Sequence, residues 1–169
     1  MAVRQILLLG NSDLYKPSAE VGANELPGLA ATIQDLHDTL LDFRRRHGIG
    51  RAIAAPQIGV KKRLVYLCIE RPTVFLNPTL DELSEEKFEV WDDCMSFPDL
   101  LVRVRRHSRC RIRFKDANWN DRELLLEGSL SELLQHECDH LDGILATQRA
   151  IDDRSFAVRT IIPRSSEHG

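Results

Sequence analysis

In the stretch QHECDHLDG, residues 135–143, two histidines stand four apart and a glutamate follows the first. That spacing gains a chemical meaning only on a helix. At about 100° per residue His136 and His140 fall about 40° apart, one turn above the other, so both imidazoles reach one point. Glu137 lies beside them. Leu130, Leu134, Cys138, Leu141 and Leu145 line the opposite side as an apolar stripe, which assigns Cys138 to packing rather than to ligation. Such a helix binds a divalent metal through two neutral imidazoles while its glutamate takes a proton from water. The plain alternative is a solvated polar face on which the three letters fall by chance. A third ligand decides between them.

A length of 169 residues accommodates one domain with a real core, here read as 1–169, and argues against two. After a short apolar run at 6–9, GNSDLYKPSAEVGANELPG reads as a surface loop. From 28 to 47 the residues Leu29, Ile33, Leu36, Leu40, Leu41 and Phe43 recur at helical spacing, and Gly48 supplies a stop. Extended segments are predicted at 63–69, at 74–77 beyond a break at Pro72, at 80–90, and at 101–114 as one or two strands. DANWNDRE then turns back into a last strand at 124–127. Gly128 and Ser129 open the motif helix, Ser129 as N-cap with Glu132 in the capping-box position. A short helix is predicted at 151–161, and 163–169 reads as a flexible polar tail.

Charge narrows the function classes. A net charge of −3 and a pI near 6.1 leave no electrostatic footprint for nucleic acid or an anionic membrane. Arg103, Arg105, Arg106, Arg109, Arg111 and Arg113 do cluster, but they alternate with Val102, Val104, Ile112 and Phe114 and read as the wet face of strands. No run approaches the roughly 18 apolar residues of a membrane span, and the first residues carry no cleavage-site pattern, so a cytoplasmic location is expected. Cys68, Cys94, Cys110 and Cys138 are dispersed without a CxxC pair, which favours reduced thiols over disulfides.

Downstream of the motif only Asp142, Asp152, Asp153, Glu167 and His168 could ligate, none in a recognisable context, and this weakens a zincin-like protease reading. Upstream, WDDCMSFP places Cys94 in a short connection between two predicted strands. Three segments, GRAIAAPQ (50–57), DDCMS (92–96) and QHECDH (135–140), resemble in order and spacing the GxGxAAxQ, EGCLS and QHExDH motifs of peptide deformylases. The resemblance covers nearly the whole chain. It implies an α+β fold in which the HExxH helix is surrounded by antiparallel strands, with an N-terminal helix. It also implies Cys94, His136 and His140 as metal ligands, Glu137 as general base, and the Gln57 side-chain amide with the Met95 backbone N–H as oxyanion donors. The implied metal is Fe2+ in the cell, with Zn2+ and Ni2+ also suited to one thiolate and two imidazoles. The implied substrates are N-formylmethionyl peptides, and the ribosome is a candidate further partner. Asp92, Arg106 and Asp139 are candidates for orienting the imidazoles, an exposed salt bridge being the alternative.

The chain departs from the family pattern beside the substrate. Asp93 stands where the family has glycine, and Asp92 where it has glutamate. Alignment on Gln57 puts Ala52 at the second glycine and Arg51 where an aliphatic residue usually lines the methionine pocket; another alignment keeps GIG at 48–50 and inserts two residues. Gly50, Arg51, Ala52 and Asp93 are thus the candidate substrate-side residues. A side chain and a charge replace a glycine that lets backbone approach the peptide. No ligand, base or oxyanion donor is lost. Two further readings follow: a metallo-amidase with a different N-acyl preference, and a non-catalytic metal-binding member.

Overall fold

Helix α1, Leu29–His47, buries Leu29, Leu36, Leu40 and Phe43 along one side, as the spacing predicts, and stops at Gly48. Gly48 adopts a φ of 68°, and its N–H closes the last turn on the Arg44 carbonyl at 2.7 Å. The computed structural model describes residues 2–161, so the expected tail at 163–169 lies outside the described residues.

Eight strands follow: β1 Ala52–Ala54, β2 Leu64–Cys68, β3 Pro72–Asp81, β4 Lys87–Asp92, β5 Leu100–His107, β6 Arg109–Lys115, β7 Asp121–Glu127 and β8 Phe156–Val158. They form an antiparallel five-stranded sheet in the order β1-β2-β3-β6-β7 and a three-stranded sheet in the order β4-β5-β8. Pro72 opens β3 instead of separating two segments, a position where its missing N–H costs no ladder bond. The register slips between Leu76 and Thr79, where Asn77 takes a φ of 49° and its side chain bonds both backbone groups of Val21.

Helix α2, Gly128–Leu141, lies between the sheets. Leu134, Cys138 and Leu141 pack with Ala54, Val65, Phe75, Ile112 and Phe114 of the five-stranded sheet, while Asp139 faces Arg106 of β5. Ser129 is not its N-cap. β7 runs straight into the helix through Gly128, at a φ of 56°, so Glu127 occupies the cap position without a side-chain bond. Leu130 is 38% exposed and Leu145 lies beyond the helix, so of the expected stripe Leu134, Cys138 and Leu141 are what α2 packs onto the sheet.

Three more expectations are corrected. Arg106 is not on a wet face but 4% exposed. The loop at 10–28 contains 3-10 turns at Ser12–Tyr15 and Ala23–Gly28 and buries Leu14, Ser18 and Val21; it lies so close to the end of α2 that a Cβ on Gly143 would sit 2.6 Å from Tyr15 backbone. No helix forms at 151–161. Asp152 and Ser155 close a turn, and Phe156–Val158 then satisfies the free edge of β5 as β8.

Candidate metal centre

β4 ends on buried Asp92, and the chain turns at once through 93–99, where the Phe97 N–H bonds the Cys94 carbonyl at 3.1 Å and the Ser96 N–H approaches Cys94 Sγ at 3.4 Å. This turn aims the Cys94 thiol at α2. Cys94 Sγ lies 3.2 Å from His140 Nε2, which lies 3.1 Å from His136 Nε2. One ligand atom from each residue falls within 4.8 Å of the others, and all three side chains are buried. Two imidazole nitrogens and a sulfur converging away from solvent match the donor set of a divalent transition metal.

The histidine tautomer follows from the next layer. His136 Nδ1 donates to Asp92 at 2.9 Å, which leaves Nε2 with its lone pair turned toward Cys94 and His140. Asp92 accepts in turn from Arg106 Nη2 at 2.8 Å, and Arg106 Nη1 donates to Asp139 at 2.6 Å. Burial opposes the charge on Asp92, but His136 and Arg106 outweigh it and hold the carboxyl down at about 2. Of the three residues expected to orient imidazoles, only Asp92 touches one. Asp139 braces Arg106 and is itself held by Arg149 at 2.8 Å.

Glu137, 3% exposed, has a carboxylate oxygen with no hydrogen-bond partner among the described residues. Burial pushes its carboxyl up to about 7, with His136 pulling the other way and Asp92 adding to the rise. A carboxyl poised there can both take and return a proton near neutrality.

Gln57 arrives from the opposite side, in the 3-10 turn Ala55–Ile58 after β1. Its Oε1 accepts from the Ala54 N–H at 2.9 Å, so the amide nitrogen is turned toward Cys94 Sγ at 3.5 Å and Ser96 Oγ at 3.2 Å. Met95 follows Cys94 directly and packs beneath Gly50, whose φ of 119° and close neighbours Leu40 and Phe43 require glycine. The N-terminal segment stitches these pieces together: the Leu7 N–H bonds the Gln57 carbonyl and the Leu9 N–H bonds the Ser96 carbonyl, each at 2.8 Å.

The substrate-side residues separate. Ala52 is buried in β1 opposite Leu67. Arg51, just before β1, bonds Glu132 at 2.5 Å and the Ser129 carbonyl at 3.3 Å. The Asp93 carboxylate turns to Arg159 at 3.0 Å, and Arg159 also bonds the Pro98 and Asp99 carbonyls. Sequence reasoning missed Ser96, Glu132 and Arg159. Ser96 was findable as the hydroxyl two residues after the candidate ligand; Arg159 carried no local signal.

The sequence profile of the family described as polypeptide deformylase matches residues 3–155. A peptide deformylase of Leptospira biflexa is 34% identical over 92% of this chain and 92% of its own, and a peptide deformylase 2 of Ralstonia nicotianae is 34% identical over 95% and 94%. Among solved structures, the peptide deformylase of Thermotoga maritima superposes with a TM-score of 0.81 at 27% identity, covering 90% of this chain and all (100%) of that one. A Met-Ala-Ser-bound deformylase of Acinetobacter baumannii gives 0.80 at 28% identity, covering 88% of this chain and 100% of that one. With matching motifs, fold and near full-length relatives, the chain belongs to the polypeptide deformylase family.

Proposed function

We propose that this chain is a metal-dependent peptide deformylase, removing the formyl group from the N-terminal methionine of newly synthesised polypeptides. Cys94, His136 and His140 hold one divalent ion, Fe2+ in the cell, with Zn2+ and Ni2+ able to occupy the same donors. The observation that carries this reading is the convergence of those three ligand atoms within 4.8 Å beside the unpartnered carboxylate oxygen of Glu137.

Bound by those three residues, the metal would supply Lewis acidity, making water give up a proton more readily and stabilising negative charge on oxygen. Every other part of the reaction belongs to the protein. Glu137 accepts the proton of the attacking water and returns it to the departing amine nitrogen as the carbon–nitrogen bond breaks, giving formate and a free N-terminus. The Gln57 amide and the Met95 N–H donate to the negative oxygen that develops, inside a site where burial strengthens both bonds. Ser96 and the Ala54 N–H fix the Gln57 amide in the donating orientation. Asp92, held by Arg106, keeps His136 in the ligating tautomer.

We place the activity in the cytoplasm, on N-formylmethionyl chains close to the ribosome, and take residues 1–169 as one catalytic domain. Among the described residues no helix is long and apolar enough to cross a membrane. The test is formate release from formyl-Met-Ala-Ser by protein loaded anaerobically with ferrous iron. Glu137→Ala should retain one metal per chain and lose about 10²–10⁴-fold in kcat. A loaded wild-type protein that binds metal and leaves formyl peptides intact would point instead to a non-catalytic member.

A further inference from the structure

Glu132, His136 and His140 follow one another at intervals of four along one face of α2. The first of these sits neither at a helix cap nor in solvent. Its side chain is 4% exposed, and one carboxylate oxygen lies 2.5 Å from Arg51 Nη2. Arg51 reaches it from the residue before β1, its own carbonyl fixed by the Cys68 N–H at 2.9 Å and its Nη1 on the Ser129 carbonyl. The Arg51 side chain remains 27% exposed, so the ion pair is sealed on the helix side and open on the other. The pair lies one helical turn before His136, near enough that the Glu137 carboxyl feels both charges, in opposite directions.

We propose that the Arg51–Glu132 pair forms a polar wall for the side chain next to the scissile formamide, so that the enzyme accepts an uncharged polar side chain of methionine's length as readily as methionine. This rests on the deformylase reading above. A guanidinium offers five N–H donors and a carboxylate about four acceptor sites, far more than the contacts to Glu132 and Ser129 consume. A side-chain amide can give a hydrogen to the carboxylate and accept one from the guanidinium. A thioether packs on the aliphatic stem of Arg51 but returns no hydrogen bond for the water it displaces. A charged side chain would compete for one partner and leave the other charge buried alone. Glutamine matches methionine in length and is therefore the probe.

The experiment measures kcat/KM for formyl-Met-Ala-Ser and formyl-Gln-Ala-Ser in the iron-loaded wild type and in R51I/E132I, with R51Q/E132Q as the variant that removes the charges and keeps the polarity. The wild type should prefer methionine by no more than about tenfold, and R51I/E132I should raise that ratio by about tenfold or more through KM, while R51Q/E132Q stays within about threefold of wild type. Calorimetric affinities for Met-Ala-Ser and Gln-Ala-Ser should shift in the same sense. A wild-type preference for methionine beyond about a hundredfold, or an unchanged ratio in a folded R51I/E132I, overturns the wall. If R51I/E132I does not fold, the wild type and R51Q/E132Q decide by the same limits. Should neither peptide be cleaved while the tripeptide affinities still shift, the deformylase reading fails and the polar wall stands.

Discussion

Arg106 is 4% exposed and holds two buried carboxylates at once, Asp92 behind His136 and Asp139 on α2 itself. Arg106→Ala removes the cation they share, leaving Asp92 only His136 and Asp139 only Arg149, and we expect a loss of up to about 3–5 kcal/mol in urea unfolding. Metal affinity should fall with it, because Asp92 loses the partner that aims it. The cysteines make a sharper contrast. Cys94→Ala removes a converging ligand atom and should lower bound metal below one per chain, whereas Cys138→Ala should leave stoichiometry unchanged by metal analysis. Burial in the apolar cluster pushes the Cys138 thiol far up, so it offers no thiolate. The packing of Cys138 was legible in the helical period, whereas the place of Cys94 beside the histidines was implied by the resemblance, not by any period. Glu132 was legible in neither, because an S-x-x-E pattern is what a capping box and an ion-paired core face have in common; only the entry of β7 through Gly128 decides between them.

At the scale of elements, the turn joining β6 and β7 is organised by one carboxylate. Asp116 accepts from Arg122 Nε at 2.8 Å and from the N–H groups of Asn118 and Asn120 at 2.9 Å. Arg122 first, then those N–H groups, hold its carboxyl well below the usual range. A depressed pKa stabilises the fold above the unfolded value near 4 and loses that contribution as pH falls below it. Between about pH 4 and pH 2 the β7 amides should therefore lose protection against deuterium exchange relative to their intrinsic rates, and Asp116→Asn should flatten that dependence. The pattern of elements was legible where a period runs long, as in α1, whose apolar residues Leu29 to Phe43 recur over about four turns of chain. It failed for β8, since three residues become a strand only when β5 leaves an edge open beside them. The pairing of Asp93 with Arg159 depends on that same strand, so its neutralised charge could not be read in advance.

Across the whole molecule, α2 joins the two sheets: its apolar side completes the larger sheet and its polar side locks onto β5, while the thiol comes from the loop between β4 and β5. A metal held by Cys94, His136 and His140, as proposed, would therefore crosslink parts contributed by distant stretches of chain. Binding to the folded form at 1,000 times its Kd stabilises by about 4 kcal/mol. At roughly 2–4 °C per kcal/mol for a chain of this size, chelation should lower Tm by roughly 8–16 °C, measured by calorimetry with and without a chelator. The amino-terminal strap gives the same connectivity a different consequence. Residues 7 and 9 lash the glutamine turn to the thiol loop through backbone bonds alone, while Leu8 and Leu9 stand exposed. Because backbone N–H groups make those bonds, any residue but proline can supply them, and we expect a proteolytic cut at Gly10 to loosen the glutamine turn from the thiol loop, read as a fall in formate release.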